Sequence, residues 1–122
     1  MDSKTVLLFD DDIQILEVCT MILEFAGYTV VTSANVVDVV AQVTTANPDV
    51  IIMDNWIPDI GGIRATQLIK QHLKLVNIPV VYISANSNIE ILSKEAGADC
   101  FLAKPFNIDQ LEKVIGELIT KC

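Results

Sequence analysis

Residues 6–12 read Val6-Leu7-Leu8-Phe9-Asp10-Asp11-Asp12, an apolar run that passes directly into three acids. A short apolar run without a polar position is typical of a strand buried on both faces of a sheet. The pattern returns at residues 50–54, where Val50-Ile51-Ile52-Met53 leads into Asp54. Two buried strands that each end at an acid indicate a parallel sheet with acids along one edge.

Apolar runs alternate with helical patterns along the whole chain. We predict strands over residues 6–9, 28–32, 50–53, 79–83 and 100–103, and helices over residues 13–26, 35–45, 63–75, 89–96 and 107–120. The expected capping and terminating residues are Asp12, Gly27, Asn47-Pro48 and Gly97. Strand–helix alternation favours helices on both faces of a parallel sheet, so the predicted fold is α/β and doubly wound, as one domain over residues 1–122.

Composition restricts the functions open to the chain. It has 122 residues, which suits one domain, and its hydrophobic fraction of 52% fits a sheet covered on both faces. The formal net charge of −8 argues against direct binding of nucleic acid. No apolar run approaches the roughly 20 residues that span a bilayer, and residues 1–4 do not begin a secretory signal. We therefore expect a cytoplasmic protein without membrane contact.

Cysteine and histidine are too few to indicate a zinc site. The three cysteines, Cys19, Cys100 and Cys122, are an odd number without a CxxC motif, so we expect reduced thiols. His72 is the only histidine, and its position near the end of the third predicted helix indicates an ordinary surface residue.

Polar residues follow four of the predicted strands at the point where each strand ends: Asp10, Asp54, Ser84 and Lys104. In folds of this class ligands bind beyond the carboxyl ends of the strands, so these side chains are expected to converge. Crowded carboxylates repel one another unless a cation lies between them, and the absence of nearby His or Cys favours Mg²⁺. Asp11 belongs to the same acidic group, whereas Asp12 is better explained as a helix cap.

Magnesium beside carboxylates, a lysine and a hydroxyl is an arrangement for phosphoryl transfer, in which an aspartate can be the nucleophile. The glycine-rich motifs GxxxxGK[ST] and GxGxxG are both absent. The expected ligand is therefore one phosphoryl group and not a nucleotide.

Over nearly its full length the sequence resembles the receiver domains of bacterial response regulators, including chemotaxis regulators. The matching segments are residues 7–12, Asp54 with Pro58 and Gly62, residues 83–85, residues 97–99, and Phe101 with Lys104-Pro105-Phe106. The resemblance implies five parallel strands in the flavodoxin-like order 2-1-3-4-5, with five helices. It also implies a phosphoacceptor signalling domain, not an enzyme beyond its own phosphorylation and dephosphorylation, whose Asp54 receives a phosphoryl group from a sensor histidine kinase or a phosphotransfer protein.

The resemblance assigns roles to individual residues. It implies that Mg²⁺ is held by Asp11, Asp54 and the main-chain carbonyl of Trp56, with Asp10 acting mostly through water. It implies that Ser84 and Lys104 bind the phosphoryl group, and that Phe101 rotates inward as part of a switch. Structural roles fall to Pro58, Gly62 and Pro105, with a cis peptide bond before Pro105. Trp56 and Asn86 are expected to tune the rate at which the phosphoryl group is lost.

The sequence departs from the family pattern at three places. Serine at Ser84 replaces a frequent threonine, Phe101 lacks the hydroxyl of the commoner tyrosine, and the segment 84–97 is short. A short fourth helix puts in doubt the usual output partner and dimer mode. The output partner is therefore left unknown, a homodimer formed on phosphorylation stays open, and the chain is either a stand-alone regulator or a piece of a longer protein.

Three other functions share some of these features. A haloacid-dehalogenase-type phosphatase would carry the phosphoryl group on Asp10, but its motif D-x-D-x-[TV] needs Thr or Val where Gln14 stands. A flavodoxin-type electron carrier would have a Ser/Thr/Gly-rich loop where this chain has acids. A receiver-like binding module without phosphorylation would not need the complete set of acids, hydroxyl and lysine.

Overall fold

The computed structural model describes residues 3–120, and five strands form one sheet in the order β2-β1-β3-β4-β5 with every neighbouring pair parallel. The strands are β1 (Thr5–Phe9), β2 (Thr29–Ser33), β3 (Val50–Asp54), β4 (Val80–Ser84) and β5 (Cys100–Ala103). The predicted fold class and strand order are confirmed. The expectations on Cys122 and on the first two residues lie outside the described residues.

Five helices connect and follow the strands. They are α1 (Ile13–Phe25), α2 (Val39–Ala46), α3 (Gly62–Gln71), α4 (Ile89–Ala96) and α5 (Ile108–Thr120). Asp12 caps α1 as predicted, because its Oδ1 accepts a hydrogen bond from the Gln14 N–H at 2.9 Å. Asn47 and Gly97 end α2 and α4 in the left-handed conformation, which also agrees with the prediction.

Alternating residues of the strands pack into cores on opposite faces of the sheet. On one face, α1 and α5 cover a core that contains Leu8, Ile52, Ile83, Leu16 and Ile115. On the other face, α2 and α3 cover a core that contains Phe9, Ile51, Met53, Val43 and Ile69. A smaller cluster of Tyr82, Ile89 and Ala96, which we call the α4 cluster, lies where α4 meets the sheet. The sheet is thus covered on both faces, as the apolar strands predicted.

The second helix begins four residues later than predicted. We expected it over residues 35–45, but α2 spans Val39–Ala46 with Asp38 as its N-cap. The side chain of Gln42 folds back over the preceding loop, and its Oε1 accepts a hydrogen bond from the Val37 N–H at 3.1 Å. The loop satisfies its polar groups through this side chain and therefore does not need to be helical.

The third helix ends earlier than predicted. We expected it over residues 63–75, but α3 spans Gly62–Gln71 and His72 is already extended, with φ −88° and ψ 124°. Lys70 explains the early end, because its ammonium donates a hydrogen bond to the Ile78 carbonyl at 2.7 Å and holds the chain as it turns back toward β4. His72 is half-exposed and has a local role, since its Nδ1 accepts a hydrogen bond from the main-chain N–H of Lys74.

Candidate functional site

Lys104 joins the ends of two neighbouring strands. Asp10 and Asp54 are almost fully buried at the carboxyl ends of β1 and β3, with 0% and 2% of their surface exposed. The ammonium of Lys104, directly after β5, lies 2.9 Å from Asp10 Oδ2 and 2.7 Å from Asp54 Oδ1. The structure therefore brings together three of the side chains that the sequence placed at this edge. Two buried carboxylates share one cation, which leaves the group with net negative charge.

Burial and the lysine act against each other on the pKa values of this group. Burial is the largest effect on Asp10 and raises its pKa above the ordinary value, although hydrogen bonds from the Asp12 N–H and from Lys104 act to lower it. Burial also acts to lower the pKa of Lys104, but its hydrogen bonds to Asp54 and Asp10, together with the charges of the two acids, outweigh this effect and raise the pKa. Lys104 is therefore held as a cation.

Asp11 completes a set of oxygen donors. Asp10, Asp11 and Asp54 each place one carboxylate oxygen within 4.8 Å of the others, and Asp11 is exposed at the mouth of the group. Three carboxylates without sulfur or nitrogen donors suit a hard cation such as Mg²⁺, which also keeps several water ligands. The donor set therefore fits the ion that the sequence predicted.

The segment that follows Asp54 is tightly constrained. The Trp56 N–H donates a hydrogen bond to Asp54 Oδ2 at 2.9 Å, so both oxygens of Asp54 have partners. A side chain at Gly62 would place its Cβ only 2.2 Å from the Asp54 carbonyl oxygen. The start of α3 therefore needs glycine in order to pack against the acid. Pro58 lies in the intervening turn, where its carbonyl accepts a hydrogen bond from the Ile60 N–H at 2.9 Å.

Trp56 does not pack into the protein with its ring. Its side chain is on the surface, with 74% exposed, while its main-chain N–H is bound to Asp54. The sequence left two positions open for this ring, over the site or on a partner surface. The exposed fraction shows that the ring mostly faces solvent.

Ser84 ends β4 with its hydroxyl already engaged. Its Oγ accepts a hydrogen bond from the Asn86 N–H at 3.0 Å, and Asn86 Oδ1 in turn accepts one from the Asn88 N–H at 2.8 Å. The side-chain oxygen of Asn86 is thus bound within the turn that precedes α4. Phe101 lies in β5 with 39% of its surface exposed, so its ring is turned at least partly outward. The bond between Lys104 and Pro105 is cis, as the resemblance implied.

A cleft of about 510 Å³ opens between α1 and the segment after β5. The residues that line it include Lys104 and Cys19. Burial, with a smaller contribution from Asp10, raises the pKa of the Cys19 thiol to about 11. A neutral buried thiol is a poor nucleophile, so the chemistry of this region belongs to the carboxylates. Cys19 and Cys100 form no disulfide in the described part of the chain.

Sequence reasoning missed two polar contacts, one beside Asp54 and one at the opposite edge of the sheet. Tyr82, which we expected only as a member of β4, donates a hydrogen bond to Asn55 Oδ1. Lys70 forms an ion pair with Asp99 at 2.7 Å, in addition to the carbonyl contact that ends α3. No local motif marks either contact, because the partners are 27 and 29 residues apart in the chain.

The family model of the response regulator receiver domain matches residues 6–116. Among curated proteins, the phosphate regulon transcriptional regulatory protein PhoB of Pseudomonas aeruginosa is 32% identical over 113 residues, which cover 91% of this chain and 49% of that protein. The chain spans about half the length of the curated relatives it matches.

Solved structures show the same architecture. The receiver domain of sensor histidine kinase PA1611 from Pseudomonas aeruginosa PAO1, with a magnesium ion coordinated in its active-site cleft, has a TM-score of 0.89 at 26% identity and covers 98% of this chain and 99% of its own. Chemotaxis protein CheY4 of Vibrio cholerae has a TM-score of 0.85 at 28% identity, over 96% of this chain and 99% of its own. Within residues 3–120, none of the helices has the length and apolar character needed to cross a membrane.

Proposed function

The chain belongs to the response regulator receiver domain family, a signalling domain of two-component systems, and from this premise we propose that Asp54 is its phosphoacceptor. The observation that carries the proposal is the position of Lys104. Its ammonium contacts Asp54 directly and lies at the end of the sheet where an incoming phosphoryl group would meet the acid. The donor would be a sensor histidine kinase or a phosphotransfer protein.

The proposed reaction is a direct transfer between two side chains. A carboxylate oxygen of Asp54 attacks the phosphorus of a phosphohistidine on the donor protein. The new P–O bond forms as the P–N bond breaks, and the electron pair returns to the imidazole nitrogen, which takes a proton from solvent. Lys104 is placed to neutralise charge on the phosphoryl oxygens, and the Trp56 N–H holds the second oxygen of Asp54 in position.

Asp10, Asp11 and Asp54 would hold the magnesium ion, and the Trp56 carbonyl is the further ligand proposed from the family pattern. When bound, Mg²⁺ supplies positive charge that offsets the carboxylates and the phosphoryl oxygens. Without that charge the three acids repel both each other and the incoming group. The reaction is therefore proposed to depend on magnesium.

Ser84 and Phe101 are the proposed switch. The Ser84 hydroxyl, now bound by the Asn86 N–H, would turn to donate to a phosphoryl oxygen. Phe101 starts with its ring partly exposed and would move inward behind Ser84, which changes the surface formed by α4 and β5. Because Phe101 has no hydroxyl, this movement works through packing alone. The partner that reads the changed surface, including a second copy of the chain, is not assigned.

Trp56 and Asn86 are proposed to set how long the phosphoryl group lasts. Asn86 is uncharged and is a poor general base, and its Oδ1 already accepts a hydrogen bond from the Asn88 N–H. The main-chain N–H of Trp56 binds Asp54, and from that position its large ring would hinder the approach of water. The phosphorylated state should therefore be long-lived.

Intact mass measured after exposure to acetyl phosphate and Mg²⁺ tests the proposal. Wild type should gain one phosphoryl mass, and Asp54→Asn should gain none. The matched control is Asp99→Asn, which removes an acid directly before β5, at the opposite edge of the sheet from the site. Labelling of Asp54→Asn at the wild-type level would exclude Asp54 as the acceptor, and loss of labelling in the control would show that the loss in Asp54→Asn is not specific to that acid.

A further inference from the structure

Asp54 and Asn55 are adjacent in sequence but face opposite sides of the sheet. Side chains two residues apart in a strand point to the same face, so Asp54 points to the same face as Ile52, the one covered by α1 and α5. Lys104 contacts Asp54 there. Asn55 points to the same face as Met53, the one covered by α2, α3 and α4. One peptide unit therefore connects the acidic group with the opposite face.

Tyr82 meets Asn55 on that opposite face. Its side chain is completely buried in the α4 cluster with Ile89 and Ala96, yet its hydroxyl donates a hydrogen bond to Asn55 Oδ1. Most residues that point from the central strands into these cores are aliphatic. A buried hydroxyl is costly unless it is bonded, so Asn55 supplies the partner that Tyr82 needs.

The main chain of Asn55 is fixed on both sides. Its N–H donates to the Ile83 carbonyl at 3.0 Å, and its carbonyl accepts a hydrogen bond from the Gly62 N–H at 3.1 Å. The side-chain bond to Tyr82 is a third restraint, and it is the one that ties this residue to the α4 cluster. All three restraints act on the residue directly bonded to Asp54.

From this arrangement, and resting on the proposed role of Asp54, we infer that Tyr82 is a positioning residue for phosphoryl transfer. Its hydroxyl fixes Asn55 and thereby fixes the Asp54 carboxylate and the Trp56 N–H that binds it. Without the hydroxyl, Asn55 is released from the α4 cluster and Asp54 samples more orientations. Nucleophilic attack requires a narrow range of approach, so the transfer slows.

The hydroxyl is available as a donor over the whole physiological pH range. Burial, with smaller contributions from Asp54 and Glu95, raises the pKa of Tyr82 to about 12. Tyr82 therefore stays protonated at any pH at which the protein would signal. The charged groups Asp54 and Glu95 affect it electrostatically, whereas Asn55 is its hydrogen-bond acceptor.

The test is a double-mutant cycle on the rate of phosphorylation. Wild type, Tyr82→Phe, Asn55→Ala and the double variant are labelled with acetyl phosphate at saturating Mg²⁺, and the rate is followed by intact mass. Tyr82→Phe should lower the maximum rate about fivefold, the effect of losing one hydrogen bond of ordinary strength. The double variant should be no slower than the slower single variant, because both substitutions remove the same contact.

A purely structural role for Tyr82 would give a different pattern. The control is Ser93→Ala, which removes a buried hydroxyl from α4 that donates to the Glu90 carbonyl within the same helix. Ser93→Ala should lower the melting temperature without lowering the labelling rate of the folded protein. Labelling at saturating Mg²⁺ keeps any change in Mg²⁺ binding, to which Asp54 also contributes, out of the comparison.

Three results overturn the inference. The first is a Tyr82→Phe rate equal to that of wild type while Asp54 is still labelled. The second is a double variant whose labelling rate falls by the product of the factors by which the two single substitutions lower it. In the third, wild type takes up no label at all, and then the proposed acceptor role fails together with the inference.

Discussion

The ammonium of Lys104 lies 2.7 Å from Asp54 Oδ1, although the two residues are 50 positions apart in the chain. The parallel register produces this contact, because Asp54 and Lys104 both stand at the carboxyl ends of strands that flank β4. The same ammonium reaches Asp10 at the end of β1. One lysine thus compensates two buried acids, and removing it should affect both stability and reaction.

Replacement of Lys104 by methionine should destabilise the protein by about 3 kcal/mol, because two buried carboxylates lose their counter-ion. The rate of labelling by acetyl phosphate should fall about 100-fold, as expected when one charge-stabilising group is lost. Urea unfolding and intact mass measure the two effects. Lys94→Met is the control, since its exposed pair with Glu90 is 3.7 Å long and should contribute less than about 0.5 kcal/mol. If Lys104→Met were as stable as Lys94→Met, the two buried carboxylates would not depend on Lys104 as their counter-ion.

Magnesium should raise the melting temperature of the wild type. At ten times the dissociation constant, ligand linkage predicts a gain of about 1.4 kcal/mol, which corresponds to several degrees. Asp11→Asn should abolish the shift and leave the metal-free protein at least as stable, since it relieves repulsion among the acids.

Asp12→Asn is the matched control for the metal site. It removes the neighbouring charge but keeps an oxygen that can cap α1. The magnesium shift should persist in this variant. A shift that survives in Asp11→Asn, or disappears in Asp12→Asn, would place the ion elsewhere.

Trp56→Asn should speed loss of the phosphoryl group about tenfold, equivalent to ~1.4 kcal/mol of barrier, because water gains access to the acidic group. Decay is followed by intact mass after removal of acetyl phosphate, in excess Mg²⁺. Phe25→Asn serves as the control, since it removes an exposed aromatic side chain at the far end of α1. Equal decay of Trp56→Asn and wild type would remove the ring from the mechanism and favour a role on a partner surface.

Stability should fall between pH 10 and pH 12 through Tyr82. In the unfolded chain its hydroxyl loses the proton near pH 10, whereas the buried hydroxyl keeps it until about pH 12. The unfolded state therefore binds fewer protons over this interval, and the free energy of unfolding decreases as pH rises, by roughly 2–3 kcal/mol in total. Tyr82→Phe lacks this contribution, so its curve of unfolding free energy against pH should be flatter than that of wild type. Parallel curves would show that Tyr82 titrates normally.

The strands and their polar ends were predictable because both signals are local. Each buried strand is an apolar run, and the polar residue that follows it is adjacent in sequence, as at Met53-Asp54 and Ile83-Ser84. Parallel pairing then brings the strand ends together without further information. For that reason the sequence alone predicts Asp10, Asp54 and Lys104 at one edge of the sheet.

Features that depend on long-range side-chain contacts were not predictable in this way. The end of α3 is set by Lys70, whose partners Ile78 and Asp99 lie outside the helical pattern. The contact between Tyr82 and Asn55 depends on the register of β3 and β4, and the sequence of an apolar strand does not show which partner a buried tyrosine hydroxyl will find. The start of α2 at Val39 was also missed, because a valine-rich segment gives only a weak helical signal.

The position of the acyl phosphate tests the central claim most directly. Wild-type protein is labelled with acetyl phosphate and Mg²⁺ and then reduced with borohydride, which converts a phosphorylated aspartate into homoserine. Peptide mass spectrometry locates the change. We predict homoserine at position 54 and unchanged aspartate at position 10. Homoserine at position 10, with Asp54 intact, would contradict the account and favour the chemistry of a haloacid-dehalogenase-type phosphatase.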